Sequence, residues 1–210
     1  MEMWFAGFSS LMHYCLEMQY CYITTAKQKR HLIDVPAADG DIDAMEGIGE
    51  PTYETRTVTA LFKMLANAED TRTRIINDLE GKTVEIVLPN DLNHYMIGRV
   101  HIAGVGLKIS DKLLVTIECL PWRYARNEVV ISVASSQNKI QHEWWNRGHR
   151  LVVPEITIEG PDAVFTVNGE TIVLGQGTHL SSALAIPGYG KISLAASGGA
   201  FIVQYREAIL

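Results

Sequence analysis

AVFTVNGETIVL, residues 163–174, decides the fold class. Asn168-Gly169 supplies the two residues of positive φ that a type I′ turn demands between right-twisted strands, and β-branched and aromatic runs flank it on both sides. Similar runs recur along the chain: TVEIVL (83–88), YMIGRVHIAGV (95–105), LLVTIECL (113–120), EITIEG (155–160), AVFTV (163–167) and AFIVQYRE (200–207). Glycine, proline, asparagine or aspartate separates them, so the expectation is a mainly β protein. A second hairpin is expected in ISLAASGGAFIVQY (192–205), turning at Ser197-Gly198-Gly199.

One helix stands out, in NAEDTRTRIINDLEGK (67–82). Asn67 is a cap, Glu69 and Asp70 suit the positive end of the helix dipole, and Gly81 can close it in a left-handed conformation. Ala68, Ile75, Ile76 and Leu79 are expected on one face, covering a sheet, with Asp70 paired to Arg74. The strand pattern breaks at Pro121 within CLPWRYARNEVV (119–130), and a polar stretch, SSQNKIQHE (135–143), follows. Short strands with glycine-rich turns occupy the rest, which reads as a small sandwich. Two domains are therefore expected, 1–130 and 131–210.

Composition limits the functions open to this chain. Its 210 residues are 47% hydrophobic, enough for a real core, and its formal net charge is −6. That balance gives no basic footprint for nucleic acid. No apolar run approaches the roughly 20 residues needed to cross a bilayer, so no membrane partner is expected. The opening MEMWFAGFSSLMHYC carries Glu2 and lacks a basic n-region and a small-residue cleavage site, so no secretory leader is expected. Cys15, Cys21 and Cys119 are too irregular for a disulfide framework or a zinc site.

Nothing in the chain forms a catalytic constellation. The histidines form no H-x-x-x-H pair, no G-x-S-x-G elbow is present, and GVG (104–106), GQG (175–177) and GYG (188–190) lack the remainder of a phosphate loop and read as β-turns. No enzyme activity, cofactor or metal is expected. Trp144-Trp145 could stack on sugar rings, but neighbours on a strand point to opposite faces, so at most one of them can serve as a platform. DGDIDAMEGIGE (39–50) places acids at the first, third, fifth and twelfth positions, as a calcium loop does. Ala44 stands where such a loop needs glycine, and strand-like HLIDV and RTVTALF flank it instead of helices, so calcium is set aside.

The order of these features resembles the distal tail proteins of siphophages. IDVPAADGDID (33–43) followed by YETRTVTALFKM (53–64) is similar to the family's strand, turn, long loop and arginine-opened strand, matching at Ile33, Pro36, Asp39, Gly40, Tyr53 and Arg56, with Ala37 replacing a glycine. The pattern continues through Tyr95 and Gly98-Arg99, through VTIECLPWRY (115–124) with its Cys-x-Pro, and through Asn146-x-Gly148 to the terminal Tyr205-Arg206.

The resemblance implies an N-terminal β-sandwich or barrel-like domain with one α-helix and a long loop, which forms the ring, and a C-terminal galectin-like β-sandwich. It implies a homo-hexameric structural hub joining the tail tube protein ring to a tail-associated or baseplate hub protein, in the virion tail of a phage or tail-like particle assembled in the bacterial cytoplasm. Asp39, Tyr53 and Arg56 are its expected subunit-contact positions. The acidic stretch 34–56 is longer than a compact connection needs and reads as an arm reaching a neighbour. The alternative is a carbohydrate-binding module for host-surface attachment.

Overall fold

The structure, a computed structural model, describes residues 1–33, 51–103 and 111–210, together with the backbone of 42–43. Asp39, most of the calcium-loop-like stretch, most of the expected arm and the turn at 104–106 lie outside the described residues. The chain is mainly β and divides into two compact units, Met1–Arg123 and Tyr124–Leu210. Among the described residues no helix is long and apolar enough to cross a membrane.

The first unit contains β1 (Trp4–Phe5), β2 (Phe8–Ser9), β3 (Leu16–Ile23), β4 (Leu32–Ile33), β5 (Ile42–Asp43) and β6 (Arg56–Met64). Helix α1 (Ala68–Leu79) follows, then β7 (Thr83–Leu88), β8 (Asp91–Ala103) and β9 (Lys112–Cys119). The chain passes into the second unit within β10 (Arg123–Ala125). An antiparallel sheet runs β2-β1-β7-β8-β9-β6-β3, while β4 and β5 form a separate short ladder. Strict alternation sets its inner face: Val58, Ala60 and Phe62 on β6 and Leu113, Val115 and Ile117 on β9 are fully buried. Each large member of that row contributes about 2 kcal/mol through burial. Phe5 joins the same core, 6.1 Å from Phe62 between ring centroids.

The N-terminal residues, apolar without a visible pattern, form a tight hairpin. Ala6 (φ 49°) and Gly7 (φ 84°) turn it between Phe5 and Phe8.

Helix α1 starts where Asn67 Oδ1 accepts from Glu69 N–H at 3.1 Å, and Gly81 follows its end at φ 70°. Its buried residues are Thr71, Ile75 and Leu79, with Ala68 partly buried. Ile76, expected on that face, lies about 100° round from Ile75 and is 37% exposed. The expected Asp70–Arg74 pair is not formed. Asn67 Nδ2 holds Asp70 at 2.8 Å, whereas Arg74 lies over the Tyr14 ring, 3.0 Å from His13 Nε2 and 4.0 Å from Asp78.

The second unit contains β11 (Val129–Val133), β12 (Ser136–Asn146), β13 (Glu155–Val167), β14 (Glu170–Leu174), β15 (Gly177–Leu180), β16 (Gly190–Tyr205) and β17 (Ala208–Ile209). The β13–β14 hairpin turns at Asn168 (φ 50°) and Gly169 (φ 83°), as its sequence requires. Two readings are corrected. Residues 192–205 are not a hairpin but part of one long strand, and 155–160 and 163–167 are likewise one strand. Both strands bend where they cross, at Pro161 and Gly198-Gly199, and their ladder skips from Glu159↔Ala200 to Ala163↔Gly198.

The bend gives one six-stranded sheet two halves. One half is β12, the start of β16, the end of β13 and β14; the other is β11, the end of β16, the start of β13 and β15. Between them lies a core in which Phe165 and Phe201 sit 5.0 Å apart, with Trp144 at 6.1 Å and 6.4 Å from them. The polar stretch 135–143 is mostly β12 itself, polar because its side chains there are largely exposed.

Candidate interaction site at the head of β6

Residues 52–57 lie along residues 24–29 as an irregular extension of the β3–β6 pair. Lys29 N–H donates to Thr52 O (2.8 Å), Glu54 N–H to Lys27 O (2.8 Å) and Thr57 N–H to the Thr24 hydroxyl (2.8 Å), and Tyr53 bridges Gln28. This ladder fixes Tyr53, half-buried, with its ring edge-on to Trp122 at 5.4 Å.

Arg56 opens β6 in phase with Val58, Ala60 and Phe62, so its side chain falls on the apolar face and only 7% of the residue is exposed. It stands in a row with Cys119 and Gly98 across β6, β9 and β8. Gly98 makes that row possible, because a Cβ there would lie 2.6 Å from Cys119 Sγ and 2.7 Å from Ile117 Cγ2. Two guanidinium nitrogens of Arg56, Nε and Nη2, have no hydrogen-bond partner among the described residues. Burial, and secondarily the charge of Arg123, hold its pKa below the usual arginine value.

Arg123 is compensated: Nη1 donates to Asp91 Oδ2 at 3.0 Å, and Asp91 also meets His94 at 2.6 Å. The site thus holds one neutralised guanidinium and one with two buried nitrogens that have no partner among the described residues.

Burial pushes the Cys119 thiol up to about 12, the nearby Arg56 charge opposing the shift. The thiol is therefore neutral and poorly nucleophilic near neutral pH. The folded chain keeps this proton where an unfolded one, with the ordinary value of 9.0, gives it up. Stability contributed here is full below about pH 9 and falls as pH rises toward 12, by up to about 1.4 kcal/mol per pH unit. Urea denaturation across that range should show the loss, and Cys119→Ala should flatten it; an unchanged slope refutes the assignment.

Of the residues picked from the sequence, Tyr53 and Arg56 come to the same end of the first unit, beside Trp122, Arg123 and Cys119. The last three were not singled out for this site. Arg56's inward phase in RTVTALF was the available signal. Trp144 is buried in the second core, whereas its neighbour Trp145 is 54% exposed.

No family model matches the chain, and no curated protein matches it. Over its whole length, however, the fold is that of a phage tail-hub protein. One matching solved structure is the crystal structure of SPP1 Dit (gp 19.1), described as a paradigm of the hub adsorption apparatus in phages that infect Gram-positive bacteria. The match has a TM-score of 0.68 at 17% identity and covers 100% of this chain and 99% of that one. At that identity the likeness is one of fold.

Proposed function

We propose that this protein is a distal tail protein, the structural hub of a siphophage or tail-like particle. The observation that carries this reading is the chain-long fold match, which takes in both units and leaves almost nothing of either chain over. In this reading Met1–Arg123 is the ring-forming domain and Tyr124–Leu210 the small, galectin-like β-sandwich it presents. Six copies close a ring in the virion tail between the tube and the baseplate hub protein. A closed ring needs a heterologous contact on each subunit. Tyr53 and Arg56 supply part of it.

Negative-stain microscopy with mass determination in solution tests this function. A six-fold ring, alone or nucleated by tube or baseplate partners, is the expected result. A stable monomer that also fails to join those partners overturns it.

The Arg56 assignment has a separate test. An unpaired buried cation costs several kcal/mol, so Arg56→Met is expected to leave the monomer as stable or about 1–3 kcal/mol more stable in denaturant. The same variant should raise the concentration for half-assembly by tenfold or more. Normal assembly by this variant excludes Arg56 from the ring contact.

A further inference from the structure

The second unit carries a built cleft. Its base is Asn146, 2% exposed. Nδ2 donates to the carbonyls of Arg150 (2.7 Å), Pro187 (3.2 Å) and Ile186 (3.4 Å), and Oδ1 accepts from Gly148 N–H (2.9 Å). One side chain thus ties segment 146–150 to the turn that follows Ile186. Tyr189 N–H donates to Gly148 O at 2.7 Å, and the Tyr205 hydroxyl donates to the Trp145 carbonyl. The two segments also pack closely, since a Cβ at Gly188 would lie 2.1 Å from His149 O.

On this rigid base two large aromatic side chains face outward, Trp145 at 54% exposure and Tyr189 at 67%. With Asn146 and Arg147 they line an open cleft of about 580 Å³, within the usual range for small-ligand sites. Lys191 Nζ lies 4.8 Å from the Trp145 ring centroid and is bonded to Glu143, so it covers one face of the indole. Tyr189 adopts φ 48°, and the His149 ring braces it at 4.1 Å. A bulky residue in this left-handed region costs on the order of 1–3 kcal/mol, and such strain concentrates at ligand clamps. Glycine would adopt the same turn freely, so folding alone does not call for an exposed tyrosine there.

We propose that this cleft binds a hexopyranose unit of an oligosaccharide. An exposed indole face suits the apolar C–H face of a pyranose, while the Tyr189 hydroxyl and the Arg147 guanidinium bond its hydroxyl groups. A nucleotide fits less well. Glu143 already neutralises Lys191, and the chain's net charge is −6.

The test is a glycan array of neutral and uronic-acid oligosaccharides probed with the full chain, followed by saturation-transfer NMR on the hits. At least one hexopyranose oligomer is expected to bind in the millimolar range or tighter, and Trp145→Ala and Tyr189→Ala should each weaken it about tenfold or more. Leu180→Ala, an exposed apolar control on β15, should not change it. Tyr189→Gly is the sharpest variant: it should raise the melting temperature while abolishing binding, because it releases strain and removes the clamp. No binding anywhere on the array overturns the proposal, as does binding unaltered in both aromatic variants. Variants that change only the oligomeric mass identify the cleft as a protein contact instead.

Discussion

Gly199→Ala should lower the melting transition of the second unit by at least about 12 °C, because it destroys the bend that gives the sheet its two halves. An ideal Cβ at Gly199 would lie 1.8 Å from Pro161 O and 3.0 Å from Pro161 C, both backbone atoms. No rotamer relieves that contact, so β13 or β16 must move. At Gly198 a Cβ would lie 2.3 Å from Asp162 O, at φ 99°. Overpacking plus backbone displacement is worth about 3 kcal/mol or more here, and each kcal/mol moves a small unit's transition by roughly 4–8 °C. Gly169→Ala is the control. Nothing lies within 4 Å of a Cβ there, and only the φ of 83° resists it, at about 1 kcal/mol. Because the chain has two units, the measurement needs a probe of each, such as hydrogen exchange of β13 and β16 against β6 and β9. A Gly199→Ala protein melting within about 3 °C of the parent would show that the crossing is not tight.

That bend also marks the limit of what the sequence discloses. Ser197-Gly198-Gly199 reads as a hairpin turn because glycine supplies the same freedom to a turn and to a kinked continuous strand. Only the partner distinguishes them, here the Glu159–Ala163 skip in β13. Where chemistry is local it was legible: Asn168-Gly169 makes its turn, Asn67 caps its helix, and the alternation in β6 and β9 defines an inner face. The failures on α1 come from contacts made elsewhere in the chain, since Arg74 is drawn to His13 and Tyr14 rather than to Asp70. Arg56 is half legible. Its phase announces burial, but its missing partners appear only when β8 and β9 are placed beside it. The cleft was legible only as Trp145. Tyr189 reaches it because Trp145 pairs with Lys191 across β12 and β16, a pairing no local pattern encodes.

Trp144 and Trp145 offer the second large effect, since adjacent residues of one type should differ by at least about 2 kcal/mol on truncation. Trp144 is 1% exposed and contacts Phe165 and Phe201 edge-on, linking the two halves of the bent sheet. Trp144→Ala removes the largest side chain of that core and leaves a cavity the rigid strands cannot fill, at a cost of about 3–5 kcal/mol. For a unit with an ordinary folding free energy of about 5–15 kcal/mol, that is a large share. Its indole Nε1 is buried with no partner among the described residues. Trp144→Phe should therefore cost less than its lost volume suggests, because it also removes a desolvated donor. Trp145→Ala loses an exposed ring and one cation–π contact with Lys191, worth about 1 kcal/mol at most. Urea denaturation of the three variants, followed by the remaining tryptophans, measures the ordering Trp144→Ala, Trp144→Phe, Trp145→Ala from most to least destabilised. Equal losses for the two alanine variants would mean that β12 does not present alternate faces to core and solvent, and both the sandwich core and the cleft described on its outer face would have to be redrawn.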